Sequence, residues 1–174
     1  DQLFDFQYLF PYLNEKQTVG AGFGAGYHAS HEVAYQTLDN RQAFFHLDQG
    51  YARRDFFAFG QLQVRPSIYN THLLELRYDR TLFTDSLVIL NPGFSVNGDT
   101  SLDYLTLHYK FKSDHRDFAA YPLEGYYFDI ELVKIGLGIE GENTPDILRV
   151  QTTFRKFWKL LPWLYYANGL NCTF

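Results

Sequence analysis

The sequence predicts an all-β fold, the wall of an antiparallel transmembrane β-barrel of the outer-membrane type, and three observations carry that prediction. Apolar and polar residues alternate with period two along most of the chain, as in strands whose two faces meet different surroundings. The alternating segments are long, in many cases roughly 11–15 residues, where a tilted bilayer crossing takes about 9–11. Aromatic residues, 19% of the chain, gather near segment ends, as Tyr8, Phe10 and Tyr12 do, and Phe157, Trp158, Trp163, Tyr165 and Tyr166. Girdles at the two membrane interfaces would place them there. The competing architecture is a soluble two-sheet sandwich, which has the same alternation but packs its apolar faces together.

About nine strand-like segments are expected: 2–12, 17–28, 31–48, 53–65, 69–82, 101–113, 122–137, 146–158 and 162–174. The second is the sharpest. Val19, Ala21, Phe23, Ala25 and Tyr27 share one face, and Gly20, Gly22, Gly24 and Gly26 share the other. This lacks the G-x-G-x-x-G spacing and the following helix of a nucleotide loop. It predicts instead something bulky lying close over the glycine face. The fourth segment sets Phe56, Ala58, Gly60, Leu62 and Val64 against Gln61, Gln63 and Arg65. The fifth sets Leu74, Leu76 and Tyr78 against Glu75, Arg77 and Asp79. In the sixth, Leu105, Leu107, Tyr109 and Phe111 oppose Thr106, His108, Lys110 and Lys112. The seventh sets Tyr126, Phe128, Ile130 and Leu132 against Tyr127, Asp129 and Glu131. In the eighth, Leu148, Val150, Thr152 and Phe154 oppose Arg149, Gln151, Thr153 and Arg155.

The connections carry turn residues: Asn14-Glu15-Lys16, Pro66-Ser67, and Gly141-Glu142-Asn143-Thr144-Pro145. The stretch 83–100 reads as one long loop with turns at Asn91-Pro92-Gly93 and Asn97-Gly98-Asp99. No segment shows a 3.6-residue stripe, so no helix is expected.

Composition excludes several classes. A net charge of -5 without a basic tract argues against nucleic acid as a partner. The single Cys172 cannot build a disulfide framework or a cysteine zinc site. The aromatic content is too high for disorder, and no run of 18 apolar residues offers a transmembrane helix. The start at Asp1, without an apolar leader, reads as a processed chain or a fragment.

Residues 114–126, Asp-His-Arg-Asp-Phe-Ala-Ala-Tyr-Pro-Leu-Glu-Gly-Tyr, resemble the signature of the bacterial surface-antigen barrels. These form the outer-membrane assembly and translocation superfamily of BamA-type and TamA-type proteins. Its pattern is Asp-x-Arg-Asp, then Pro-x-x-Gly, then an alternating strand. Asp114, Arg116, Asp117, Pro122 and Gly125 match it, with Tyr126 to Leu137 following. Weaker similarity lies in His31-Glu32-Val33, Arg65-Pro66-Ser67-Ile68-Tyr69 and Leu90-Asn91-Pro92.

The resemblance implies a barrel of about sixteen strands, preceded by POTRA modules, with the motif turn on the periplasmic side. A lumen loop with an Arg-Gly-Tyr or Arg-Gly-Phe tip is also implied, and no such tip occurs in the sequence. The chain therefore reads as the middle of a barrel, with two unpaired ladders for other strands to complete. Terminal Phe174, on one parity with Cys172, Leu170 and Asn168, resembles an outer-membrane targeting end and would suit a small complete barrel. The motif order favours the larger one. The implied function is insertion or export of other proteins without covalent chemistry, at the outer membrane of a Gram-negative bacterium. Client proteins, accessory subunits and the lipid bilayer are the implied partners, with no cofactor.

The motif also has a direct physical reading. Pro122 lacks an N–H and suits a turn or a strand start. Gly125 permits a bulge or a close backbone approach. Asp114 and Asp117 can accept backbone N–H groups, with Arg116 pairing to them.

Catalytic and metal constellations are missing from the sequence. His28-x-x-His31, with Glu32 beside it, lacks the helical spacing and third ligand of a zinc site, and both histidines are expected to flank a tight turn. His108 reads as a lumen residue, His115 as part of the motif turn, and Cys172 as a buried or lipid-facing thiol. No G-x-S-x-G elbow is present. Asp129 and Glu131 are expected to pair across strands with Arg149 and Arg155 rather than to work as acid and base.

On the barrel reading Leu74, Leu76, Leu107, Tyr109, Phe128, Ile130 and Phe154 face lipid, while Arg77, Lys110, Asp129, Glu131, Arg149 and Arg155 face the lumen. Phe128→Arg is then expected to cost about 2–4 kcal/mol of insertion stability, and Glu131→Gln little. The alternative functions are the barrel of a patatin-like lipase fusion whose catalytic domain lies outside this chain, a passive pore, and a soluble sandwich binding module.

Overall fold

The structure, a computed structural model, describes residues 1–94, 98–138 and 144–174. The expected turns at Asn97 and at Gly141 to Asn143 fall outside them. Ten strands occur among the described residues: β1 (Gln2–Phe10), β2 (Val19–Ser30), β3 (Glu32–Leu38), β4 (Arg41–His46), β5 (Arg53–Val64), β6 (Asn70–Phe83), β7 (Ser101–Asp114), β8 (Gly125–Ile135), β9 (Ile147–Leu161) and β10 (Leu164–Thr173). Eight of them form one antiparallel sheet in the order β1-β2-β5-β6-β7-β8-β9-β10. β3 and β4 pair only with each other.

Two expectations are corrected. The segment at 31–48 is a hairpin, not one strand. It reverses at Asp39 and Asn40, both left-handed at φ 47° and 61°, as a two-residue type I′ turn requires. Asp-Asn is a weaker written signal for that turn than Asn-Gly, and the reversal was hidden in the sequence. The loop at 83–100 contains a helix, α1 (Asp85–Leu90). Six residues are under two turns, too few for a periodic stripe to emerge. Leu87 is its buried anchor, and Ala52 is buried too, with its carbonyl accepting from Thr84 N–H. The Asn91 side chain ties this loop to the hairpin by donating to the Tyr35 carbonyl at 2.6 Å.

Connections 11–18, 65–69, 115–124 and 162–163 lie at one end of the sheet. The longer connections 31–52, 84–100 and 136–146 lie at the other. The sheet is also staggered. Following partners straight across from Val19, the first residue of β2, the ladder passes Val64, His72, Phe111, Ile130 and Thr152, and arrives at Cys172 near the far end of β10. Leu164 to Cys172 is about 26 Å at about 3.3 Å per residue. Such a one-way stagger accompanies strands tilted against a barrel axis. Here the sheet does not close, because β1 and β10 are not paired with each other.

The molecule is a single layer. Among the described residues the buried apolar ones are Ala29, Ala52, Leu87 and Val133. No second sheet stacks on Leu107, Phe128 and Phe154 among the described residues.

Candidate functional site

Along β6 to β9 the register places the residues singled out in the sequence on the two faces expected. Directly opposed residues point the same way. Leu74 faces Tyr109 and Leu76 faces Leu107; Tyr109 faces Leu132 and Phe111 faces Ile130; Phe128 faces Phe154. Arg77, Lys110, Asp129, Glu131, Arg149 and Arg155 all lie on the other side.

Burial is inverted relative to a soluble protein. Leu76 and Leu107 are 46% and 37% exposed, whereas the side chains of Asp129 and Glu131 are 15% and 22% exposed. The polar face is a connected network. Glu131 takes Lys110 Nζ at 3.1 Å, His108 Nε2 at 3.3 Å and Arg149 Nη2 at 3.7 Å. Asp129 accepts from the Tyr127 hydroxyl and lies 4.0 Å from Lys110. Arg77 clamps Asp79 and lies over the Phe57 ring at 4.1 Å. Arg53 pairs with Asp55, which also accepts from Thr81.

The expected partners of Asp129 and Glu131 are thus half right. Arg149 reaches Glu131, but Arg155 stands opposite Tyr127 and reaches neither acid. Lys110, from the other neighbouring strand, takes that place.

The glycine face of β2 is covered, as its spacing predicted. A Cβ on Gly24 would meet the Phe59 ring at 2.6 Å, and one on Gly26 would run into the Phe57 ring. These two phenylalanines share the polar face with Gln61 and Gln63. Their parity, opposite the glycines, was the signal that could have found them.

Charges on the apolar face keep to its rims. Arg80 and Asp103 pair at 3.4 Å, and Lys134 pairs with Asp146, at the long-connection end; Arg54 is there too. At the short-turn end stands Lys156, level with Tyr126 and Asn168. Between them two half-buried side chains bond internally: the Tyr109 hydroxyl pairs with His72 Nδ1 at 2.9 Å, and Thr152 donates to the Asp129 carbonyl at 3.0 Å. Cys172 lies half-buried on this face opposite Thr152.

The motif turn is clamped from inside. Arg116 grips Asp114 through Nε at 2.8 Å and Nη2 at 2.7 Å, and donates to the Ala119 carbonyl at 3.1 Å. The Asp117 carboxylate accepts the N–H groups of Phe118, Leu123 and Glu124 at 2.9, 3.0 and 3.2 Å. Arg116 therefore pairs with Asp114 alone, not with both acids. The backbone N–H of Glu124, then those of Leu123 and Phe118, hold the Asp117 carboxyl below the usual carboxylate range. The Asp114 carboxylate raises the Arg116 guanidinium further.

Gly125 opens β8 at φ +104°, where a Cβ would strike the His115 carbonyl; of the two uses expected for it, this is the close backbone approach, and the β8–β9 register runs through it without a bulge. Pro122 lies within the turn rather than at the strand start. Arg116, Ala119 and Pro122 line a cleft with Arg155, Phe157 and Gly169, so the turn lies against the polar face. His115 is sandwiched between Tyr69 at 4.2 Å and Tyr126 at 4.6 Å, both nearly parallel.

His28 and His31 do not flank a tight turn. β2 continues to Ser30, His28 bonds Asp5 at 3.2 Å, and His31 packs on Tyr51. Among the described residues no three His, Cys, Asp or Glu side chains converge as metal ligands.

Comparison with protein-family models, curated proteins and solved structures yields no match.

Proposed function

We propose that this chain is part of the β-barrel wall of an outer-membrane protein that inserts or exports other proteins without covalent chemistry, in a Gram-negative bacterium. The carrying observation is the inverted burial: an uncovered apolar face with charges only at its rims, backed by a sheltered network of ions. In water that arrangement would leave a large greasy surface exposed. In a bilayer the apolar face meets hydrocarbon and the polar face looks into a lumen. On β9 the stretch from Leu148, opposite Lys134, to Lys156 is about 26 Å long, which at a tilt of about 35–45° spans about 19–22 Å of height, somewhat under the about 25 Å of an outer-membrane apolar band. Short turns at one end, long connections at the other, and the one-way stagger support the same reading.

Assembly or export, rather than passive conduction, rests on the resemblance of Asp114, Arg116, Asp117, Pro122 and Gly125 to the surface-antigen motif. Client outer-membrane or exported proteins and accessory subunits are the partners this implies.

Two measurements test the proposal. Single spin labels along 105–112 in a bilayer should alternate, with odd positions accessible to oxygen and even ones to a water-soluble relaxant. Uniform accessibility would remove the membrane assignment. The full-length protein in liposomes should accelerate insertion of an unfolded barrel client, read by protease protection. Ion conductance without that acceleration would instead indicate a passive pore.

A further inference from the structure

Lys156 stands out on the apolar face. Its ammonium lies 5.6 Å from the Tyr126 ring centre and 6.0 Å from that of Trp158, and it makes no ion pair among the described residues. The other strand charges of this face sit at the opposite rim, where Arg80 and Lys134 have carboxylate partners. Arg54, also at that rim, lines a cleft with Tyr51, Asp85 and Thr100 near the long connections. Trp158 stacks on Tyr166 at 5.3 Å, and Tyr126 continues into the stack with His115 and Tyr69. The cation therefore bridges two aromatic stacks at the short-turn end, Tyr69–His115–Tyr126 and Trp158–Tyr166. Asn168, directly opposite Lys156 on β10, adds an amide donor at the same level.

A half-buried cation without a counter-ion is costly beside hydrocarbon unless an anion comes to it. Aromatic belts lie at headgroup depth, and there the available anion is a phosphodiester. We propose that Lys156 and Asn168, framed by Tyr126 and Trp158, bind the phosphate of a phospholipid headgroup in the leaflet on the short-turn side. The inference rests on the membrane reading above. It adds a specific lipid contact at one point of the wall, beyond general immersion in the bilayer.

The test is native mass spectrometry of the full-length protein in detergent, with three probes: phosphatidylglycerol, diacylglycerol of the same acyl chains, and inorganic phosphate. Phosphatidylglycerol adducts should be retained in preference to diacylglycerol, and Lys156→Gln should lower that retention by about fivefold. Lys159→Gln, on the opposite face near Glu124, should leave it unchanged. Equal retention in Lys156→Gln, or equal loss in Lys159→Gln, overturns the proposal. Inorganic phosphate adducts that Lys156→Gln abolishes also overturn it, in favour of a free-phosphate site.

A companion variant, Leu107→Trp, reports on the membrane reading separately through quenching by brominated acyl chains. Quenching together with unaltered lipid retention in Lys156→Gln rejects the headgroup site alone. Absence of quenching rejects both.

Discussion

Gly125 has little freedom to change. Its left-handed φ and the His115 carbonyl beside it exclude any side chain, so Gly125→Ala should cost at least about 2 kcal/mol, measured by urea unfolding in lipid vesicles. Asp117 gives a pH signature. Its carboxyl titrates lower in the folded turn than in the unfolded chain. Its contribution is therefore complete above about pH 4 and is lost as the pH falls through the folded value. The protection of the Leu123 and Glu124 amides, with exchange corrected for its intrinsic pH dependence, should fall on that acidification in the native chain. In Asp117→Asn protection should already be low, with no such dependence; an unchanged pH profile in that variant would contradict the role. The expectation that Glu131→Gln costs little is revised by the geometry. Glu131 is the shared anion of Lys110, His108 and Arg149, and its neutralisation should cost about 1–2 kcal/mol. Lys110→Met in the same chain should recover part of that loss.

At the scale of the element, β2 shows what could be read and what could not. Alternating glycines announced a covered face, because no other residue lets a neighbouring side chain lie flat on the backbone. Which side chains cover it, Phe57 and Phe59, depended on the register with β5, which the sequence of β2 does not contain. The consequence is a contrast between two glycines. Gly24→Val should cost about 1–3 kcal/mol through collision with Phe59 and the Phe6 carbonyl. Gly60→Ala, on the open apolar face, should be neutral or mildly stabilising. Equal effects in vesicle unfolding would mean that β5 does not lie over β2 in this register. Phe128→Arg, in β8, retains its expected penalty of about 2–4 kcal/mol in a bilayer. The β3–β4 hairpin and α1 were missed for a common reason: each is held by its neighbours. The hairpin leans on Asn91, and α1 hangs on Leu87, and neither tie leaves a periodic trace in its own segment.

For the whole molecule, the division into two faces was fully legible, because period two survives wherever strands are long. The motif turn was legible as residues but not as a clamp, since Arg116 could have taken either Asp and only the fold of the turn decided for Asp114. The aromatic setting of Lys156 was not legible, because it is assembled from three strands and two connections. The open sheet also predicts how the isolated 174-residue chain behaves. With the outer edges of β1 and β10 unpaired among the described residues, it should self-associate in detergent. Cysteines replacing Tyr8 and Leu170 should cross-link between copies, and a strictly monomeric species would argue that the two edges are protected.

The climbing ladder from Val19 to Cys172 constrains any strand that pairs with the open edges of the sheet. Like the flights of a spiral stair, β1 and β10 leave off on different storeys. A newcomer zipping onto either must arrive already displaced lengthwise, and one laid flush would leave dangling rungs at both landings.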